Sequence, residues 1–202
     1  SQDVQKMHIG DYAISNENGG ISPEAVEQLK NHEMVSGLST TKLTVYEQDK
    51  HGRFPVELDF VPGPSETFQI GTVDPDRLEA MASGLSEKDL EDLRNGTACF
   101  VKNPVAFAAE GYDVKYTEFQ KDDRITVNGT SLRIAGILDD ALTNGSGFTN
   151  GIQVVTVDPV YERLVGNSQF SIVYPTLAED ADAEVFEKWL DDWCTKNPGT
   201  RW

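Results

Sequence analysis

Two hydrophobic periods take turns along this chain. Short runs alternate apolar and polar residues, as a half-buried strand does, and others repeat at three- and four-residue spacing, as a helix face does. The first strand is expected around Asp11–Ser15, before the turn Asn18-Gly19-Gly20. Ser22-Pro23-Glu24 then places a hydroxyl at a helix N-cap, proline at the first helical position and a carboxylate at the positive end. Ala25, Val26 and Leu29 give that helix its stripe to about Lys30. Val35–Tyr46, rich in Val, Leu and Thr, predicts a long strand. A turn over Gln48–Arg53 returns the chain as a strand over Phe54–Val61, and Pro62-Gly63-Pro64 breaks it.

Beyond that break, Thr67–Thr72 alternates, and Asp74-Pro75-Asp76 opens a helix with Leu78, Met81, Ala82 and Leu85 inward. Asp74 and Asp158, each before a proline, are expected to cap their helices. Ser86-Glu87-Lys88-Asp89 has capping-box spacing, with Asp in the usual Glu place, and starts a helix that Asn95-Gly96 ends. Ala98–Val101 reads as a buried strand and Asn103-Pro104 as the start of a short helix to about Gly111. Arg124–Val127 and Leu132–Ile134 flank Asn128-Gly129, a pair that suits a type I′ hairpin. Residues 141–151, rich in Gly, Asn, Ser and Thr, predict a mobile loop that is either a partner-facing or hinge element or a plain connection. Strands follow at Ile152–Val157 and Gln169–Tyr174. The helix after Asp158-Pro159 turns Tyr161, Leu164 and Val165 inward. The last helix, about Ala181–Cys194, turns Ala183, Phe186, Leu190 and Trp193 inward.

This order predicts an α+β fold: a split strand–helix–strand lobe over residues 1–61 and 151–202, with a mixed insert over 62–150. The 202 residues suffice for one large domain or two lobes, and 38% hydrophobic with 25% charged residues is ordinary globular composition. No run approaches the length of a membrane span, and no signal sequence opens the chain. A start at Ser1 implies an upstream segment removed by processing or cloning. The net charge of −17 repels phosphate backbones and argues against nucleic acid as a partner.

The chain offers little to catalysis. It has no Gly-x-Ser-x-Gly elbow, no His-Glu-x-x-His pair and no Walker or Gly-x-Gly-x-x-Gly loop. His8, His32 and His51 fall in polar stretches and read as surface residues, while Cys99 and Cys194 read as small hydrophobes, with a disulfide between them left open. Asp122-Asp123 and Asp139-Asp140 bracket the hairpin, more simply as solvated strand ends than as a Ca²⁺ site. No catalytic, cofactor-binding or metal residue is therefore assigned.

Several segments, in order, resemble the extracytoplasmic domain of MacB/FtsX-like ABC transporter permeases. They are FQIGTVDPDRLEAM (68–81), TACFVKNPVAFAAEG (97–111), KDDRITVNGTSLRIAGILDD (121–140), IQVVTVDPVYERLVG (152–166) and QFSIVYPTLAEDADAEVFEKWLDDW (169–193). The 121–140 hairpin, with Asn128-Gly129 and Ala135-Gly136-Ile137, carries the resemblance most specifically. MVSGLSTTKLTVY (34–46) extends it toward the N-terminus. Asp122-Asp123 departs from it, standing where the family often has Gly-Asp, as does the lengthened Ser83–Gly96 segment.

The resemblance implies a porter-like lobe in two halves with an inserted sabre-like lobe, set between two membrane helices on the extracytoplasmic side of a bacterial cell membrane. It implies a non-catalytic role, binding partners or substrate and transmitting ATP-driven motion. The implied partners are a cytoplasmic ABC ATPase subunit, reached through the parent permease, a second permease subunit, and an extracytoplasmic protein or peptide substrate. It implies no cofactor. The competing classes are a secreted carboxylate-based hydrolase, which needs two converging acids in a cleft, and a cell-surface adhesin module, which needs no membrane span on either side.

Overall fold

A computed structural model describes residues 8–62, 67–104, 116–142 and 151–202. In chain order the elements are β1 (Ile14–Asn16), α1 (Pro23–Lys30), β2 (Val35–Glu47), β3 (Thr67–Val73), α2 (Pro75–Ala80), α3 (Glu87–Arg94) and β4 (Ala98–Lys102). They continue with β5 (Arg124–Val127), β6 (Thr130–Ile137), β7 (Gln153–Val155), α4 (Asp158–Val165), β8 (Ile172–Leu177), α5 (Ala183–Lys196) and β9 (Thr200–Arg201). Packing divides the chain into two compact units. One takes the chain up to Lys42 together with Ser168–Trp202, and the other takes Leu43–Asn167. These points differ from the expected lobe limits of 61/62 and 150/151. Residues 43–47 of β2, β7 and α4 pack with the central unit, where Tyr46, Val154 and Tyr161 share a core with Phe68.

The terminal unit is antiparallel throughout. β2 pairs with β8, β8 with β1, and β1 with β9. α1 and α5 lie against this sheet, and Ala25, Val26 and Leu29 of one meet Phe186, Leu190 and Trp193 of the other over Ile14 and Val173. The indole N–H of Trp193 donates to Gln28 at 3.0 Å and ties the two helices. Ser22 caps α1 through the Ala25 N–H, and Asp182 caps α5 through the N–H groups of Glu184 and Val185. Phe186, Leu190 and Trp193 are buried as expected, but Ala183 is exposed in the first turn of α5.

The central unit has a mixed sheet in the order β5-β6-β4-β7-β3. β5/β6 and β4/β7 are antiparallel, whereas β6/β4 and β7/β3 are parallel. Strand alternation sends Cys99, Val101, Ile134 and Val154 to one face, under α4, and Ala98, Phe100, Ala135 and Val155 to the other, with Leu78 of α2 and Leu93 of α3. Covered on both faces, β4 is apolar without a break from Ala98 to Val101. The hairpin forms as its sequence demands: Asn128 and Gly129 take φ of 48° and 77°, the type I′ combination. Gly136 also has a packing reason. A Cβ there would stand 3.2 Å from the Phe100 ring and 3.3 Å from Ala82.

Several expectations give way. Residues 54–61 form no strand of a ladder. Pro55 lacks an N–H, and the segment touches β5 through one isolated bridge, Leu58 to Val127. Side chains replace ladder bonds, with Asn128 Oδ1 accepting the Glu57 N–H at 2.8 Å and Asp59 Oδ1 accepting the Thr126 N–H at 2.9 Å. α2 stops at Ala80, so Met81, Ala82 and Leu85 reach the core from the turn that follows. The Asp74 carboxylate makes no cap hydrogen bond, and Val157 rather than Asp158 is the N-cap of α4. β8 begins at Ile172, and the two-residue β9 was not anticipated. The helix expected from Asn103-Pro104 and the loop expected at 141–151 fall largely outside the described residues.

Candidate functional site

Among the described residues, the histidines and cysteines do not converge. His8 is exposed beside Asp11 at 3.2 Å, and His51 is exposed in the 49–53 turn. His32 departs from expectation because it is half-buried. Its ring stands edge-on to Trp189 at 4.3 Å and Phe186 at 5.2 Å, and Nδ1 accepts the Met34 N–H at 3.0 Å. It shapes the turn between α1 and β2. Cys99 and Cys194 are both free thiols. Burial pushes the Cys99 thiol up to about 12, out of the nucleophilic range. Among the described residues, no three His, Cys, Asp or Glu side chains are placed to hold a metal ion. The buried amide of Gln153 is satisfied, donating to Gln69 and accepting the Leu142 N–H at 2.8 Å.

The strongest electrostatic feature is one that reading the sequence missed. Arg133 on β6 reaches Asp89 and Asp92 of α3 at 2.9 Å each and Asp122 at 2.8 Å. Lys121 holds the other oxygen of Asp89 at 2.7 Å, and Lys88 lies 3.3 Å from Asp92. Asp89 also closes the capping box of α3 by accepting the Ser86 N–H at 3.0 Å. Its side chain is only 4% exposed, and burial alone would raise its pKa. The hydrogen bonds from Lys121, the Ser86 backbone and Arg133 outweigh burial and hold the carboxyl well below its usual range. Asp92 is held low by the Arg133 hydrogen bond against a smaller cost of desolvation.

Three cations and three anions thus saturate one another, and the cluster clamps α3 to the β5–β6 hairpin. Arg133 directs Nε, Nη1 and Nη2 at carboxylates, so its guanidinium is committed within the cluster. The Asp122-Asp123 pair is divided between two tasks. Asp122 joins Arg133, and Asp123 accepts the Gln120 N–H at 2.8 Å. Asp139 and Asp140 are exposed. Arg133 stands 41 residues from Asp92 in sequence, so no local motif announces the pairing.

No protein-family model matches the chain, and no curated protein matches it by sequence. Solved structures do. The periplasmic region of MacB from Actinobacillus actinomycetemcomitans superposes with a TM-score of 0.53 at 9% identity, over 94% of this chain and 86% of that one. The extracellular domain of the noncanonic ABC-type transporter YknZ from Gram-positive bacteria gives 0.51 at 9% identity, over 94% and 97%. Both likenesses run nearly the whole length of both partners. No helix among the described residues is long and apolar enough to cross a membrane. The chain has the fold of the periplasmic region of MacB and of the extracellular domain of YknZ.

Proposed function

We propose that this chain is the extracytoplasmic domain of a bacterial ABC transporter permease. It catalyses no reaction itself; it binds a partner or substrate and passes on ATP-driven movement from the membrane. The observation that carries this reading is the near-complete coverage, in both directions, by two transporter domains of this kind. A saturated ion cluster, a thiol held protonated by burial and separated histidines agree with it. On this reading, the terminal unit is the porter-like lobe and the central unit the sabre-like one. The permease pairs with a second permease subunit and with a cytoplasmic ATPase subunit, where the nucleotide chemistry resides.

The test is sidedness in cells that express the parent protein. Lys50 lies exposed in the 49–53 turn, so Lys50→Cys, combined with Cys194→Ser, offers one reactive thiol within residues 1–202 while Cys99 stays buried, and labelling is read against the Cys194→Ser protein alone. A membrane-impermeant maleimide should label it in intact cells. Labelling only after lysis would overturn the proposal.

A further inference from the structure

β1 and β9 are antiparallel neighbours, with Ser15 opposite Arg201 and Asn16 opposite Thr200. The chain therefore enters β1 and leaves β9 at the same end of the terminal unit. Two aromatic rings sit there. Trp202 packs edge-on against Tyr12 at 5.4 Å, and Tyr12 rests 5.3 Å from the buried Phe186. The Trp202 indole N–H donates to Asp191 at 2.8 Å, yet the residue is 46% exposed. The pair is held in place on the core with an apolar surface turned outward, the character of side chains at a bilayer interface. The acids beside it are Asp191, which holds the indole, and Asp11 and Glu187, whose charges act on the Tyr12 phenol. They repel anionic headgroups and suit the ammonium end of a zwitterionic one, which the aromatic faces also attract.

We infer that Tyr12 and Trp202 form an aromatic anchor that seats this end of the domain in the headgroup layer of a zwitterionic lipid surface. The inference rests on the permease reading, which puts a membrane span on either side of the domain. The parent protein in phosphatidylcholine vesicles, with lipids brominated high on the acyl chains, supplies the test through tryptophan fluorescence. The expected result is a quenched component of the emission that Trp202→Phe removes and Trp189→Phe leaves. A parent that floats with the vesicles but shows no quenching sensitive to Trp202→Phe overturns the anchor and leaves the permease reading standing. A parent that does not float with the vesicles overturns both.

Discussion

The two units are held together differently. In the terminal unit two helices cover an antiparallel sheet, and the ion pairs that go with it, such as Lys30 with Glu27 and Lys196 with Asp192, are exposed on helix surfaces. Such pairs contribute little. Its cohesion is the packing of Phe186, Leu190 and Trp193 on Ile14, Val173 and α1. The central unit packs both faces of its sheet and adds the Arg133 cluster, in which a nearly buried carboxylate is part of the structure. The first unit should answer to lost volume, and the second also to lost charge.

The sharpest way to break the terminal unit is Phe186→Ala. The ring is fully buried among Tyr12, His32 and Trp189, and truncating such a side chain costs about 4 kcal/mol. Phe186→Leu, closer in volume, should cost about 1 kcal/mol. Denaturant unfolding gives the size of the loss, and hydrogen exchange should place it in β1, β8 and the two helices. Equal loss of protection in β4 and β6 would refute the contrast drawn above.

In the central unit the corresponding break is Arg133→Met, which keeps the stem and removes the charge. Asp89 would stay buried with Lys121 and the Ser86 N–H as its remaining partners. We expect a loss of about 2 kcal/mol, less than a fully orphaned buried charge costs. The same cluster makes this unit acid-sensitive. Asp89 and Asp92 are held below the unfolded carboxylate value of about 4, so the folded state binds fewer protons than the unfolded one near that pH. Their stabilisation is complete above about pH 4 and drains away as pH falls through the depressed folded values. An acid titration of unfolding should show this loss in the unaltered protein and a smaller one in Arg133→Met, chiefly through Asp92. Parallel titrations of the two proteins would show that Arg133 contributes nothing to the acid sensitivity.

These contrasts also explain what could be read from the sequence. Features fixed by adjacent residues were legible. The Ser22-Pro23 start of α1, the Ser86–Asp89 capping box and the Phe186, Leu190 and Trp193 face of α5 stand where the pattern puts them. Features made by distant partners were not. β9 exists because Asn16 and Ser15 pair with Thr200 and Arg201 from the far end of the chain. The Arg133 cluster gathers residues from α3, the approach to β5 and β6 itself. Residues 54–61 misled for a different reason. Their alternation is genuine, with Phe54, Val56, Leu58 and Phe60 packed inward, but alternation specifies which face is buried and not whether backbone N–H groups are free to pair. His32 likewise sits in a polar stretch and is half-buried only because α5 comes to lie beside it.

The smallest effect sharpens the comparison most, because it separates local conformation from packing. Gly129 has φ of 77° and nothing within 4 Å of where a Cβ would be, so Gly129→Ala adds no clash. Its whole cost is the left-handed backbone that alanine resists, about 1 kcal/mol. Asn128 takes the same region but also anchors residues 54–61 through both its N–H and its side-chain oxygen. Asn128→Gly should keep the turn and the backbone bond to the Glu57 carbonyl, and lose the side-chain half of the anchor. Hydrogen exchange distinguishes the two. Gly129→Ala should weaken protection along β5 and β6 together, whereas Asn128→Gly should free the Glu57 N–H while Ile125 and Leu132 stay protected. If both variants loosened the hairpin equally, the 54–61 segment would be an integral part of it, and the side-chain bonds across β5 would be replacing nothing.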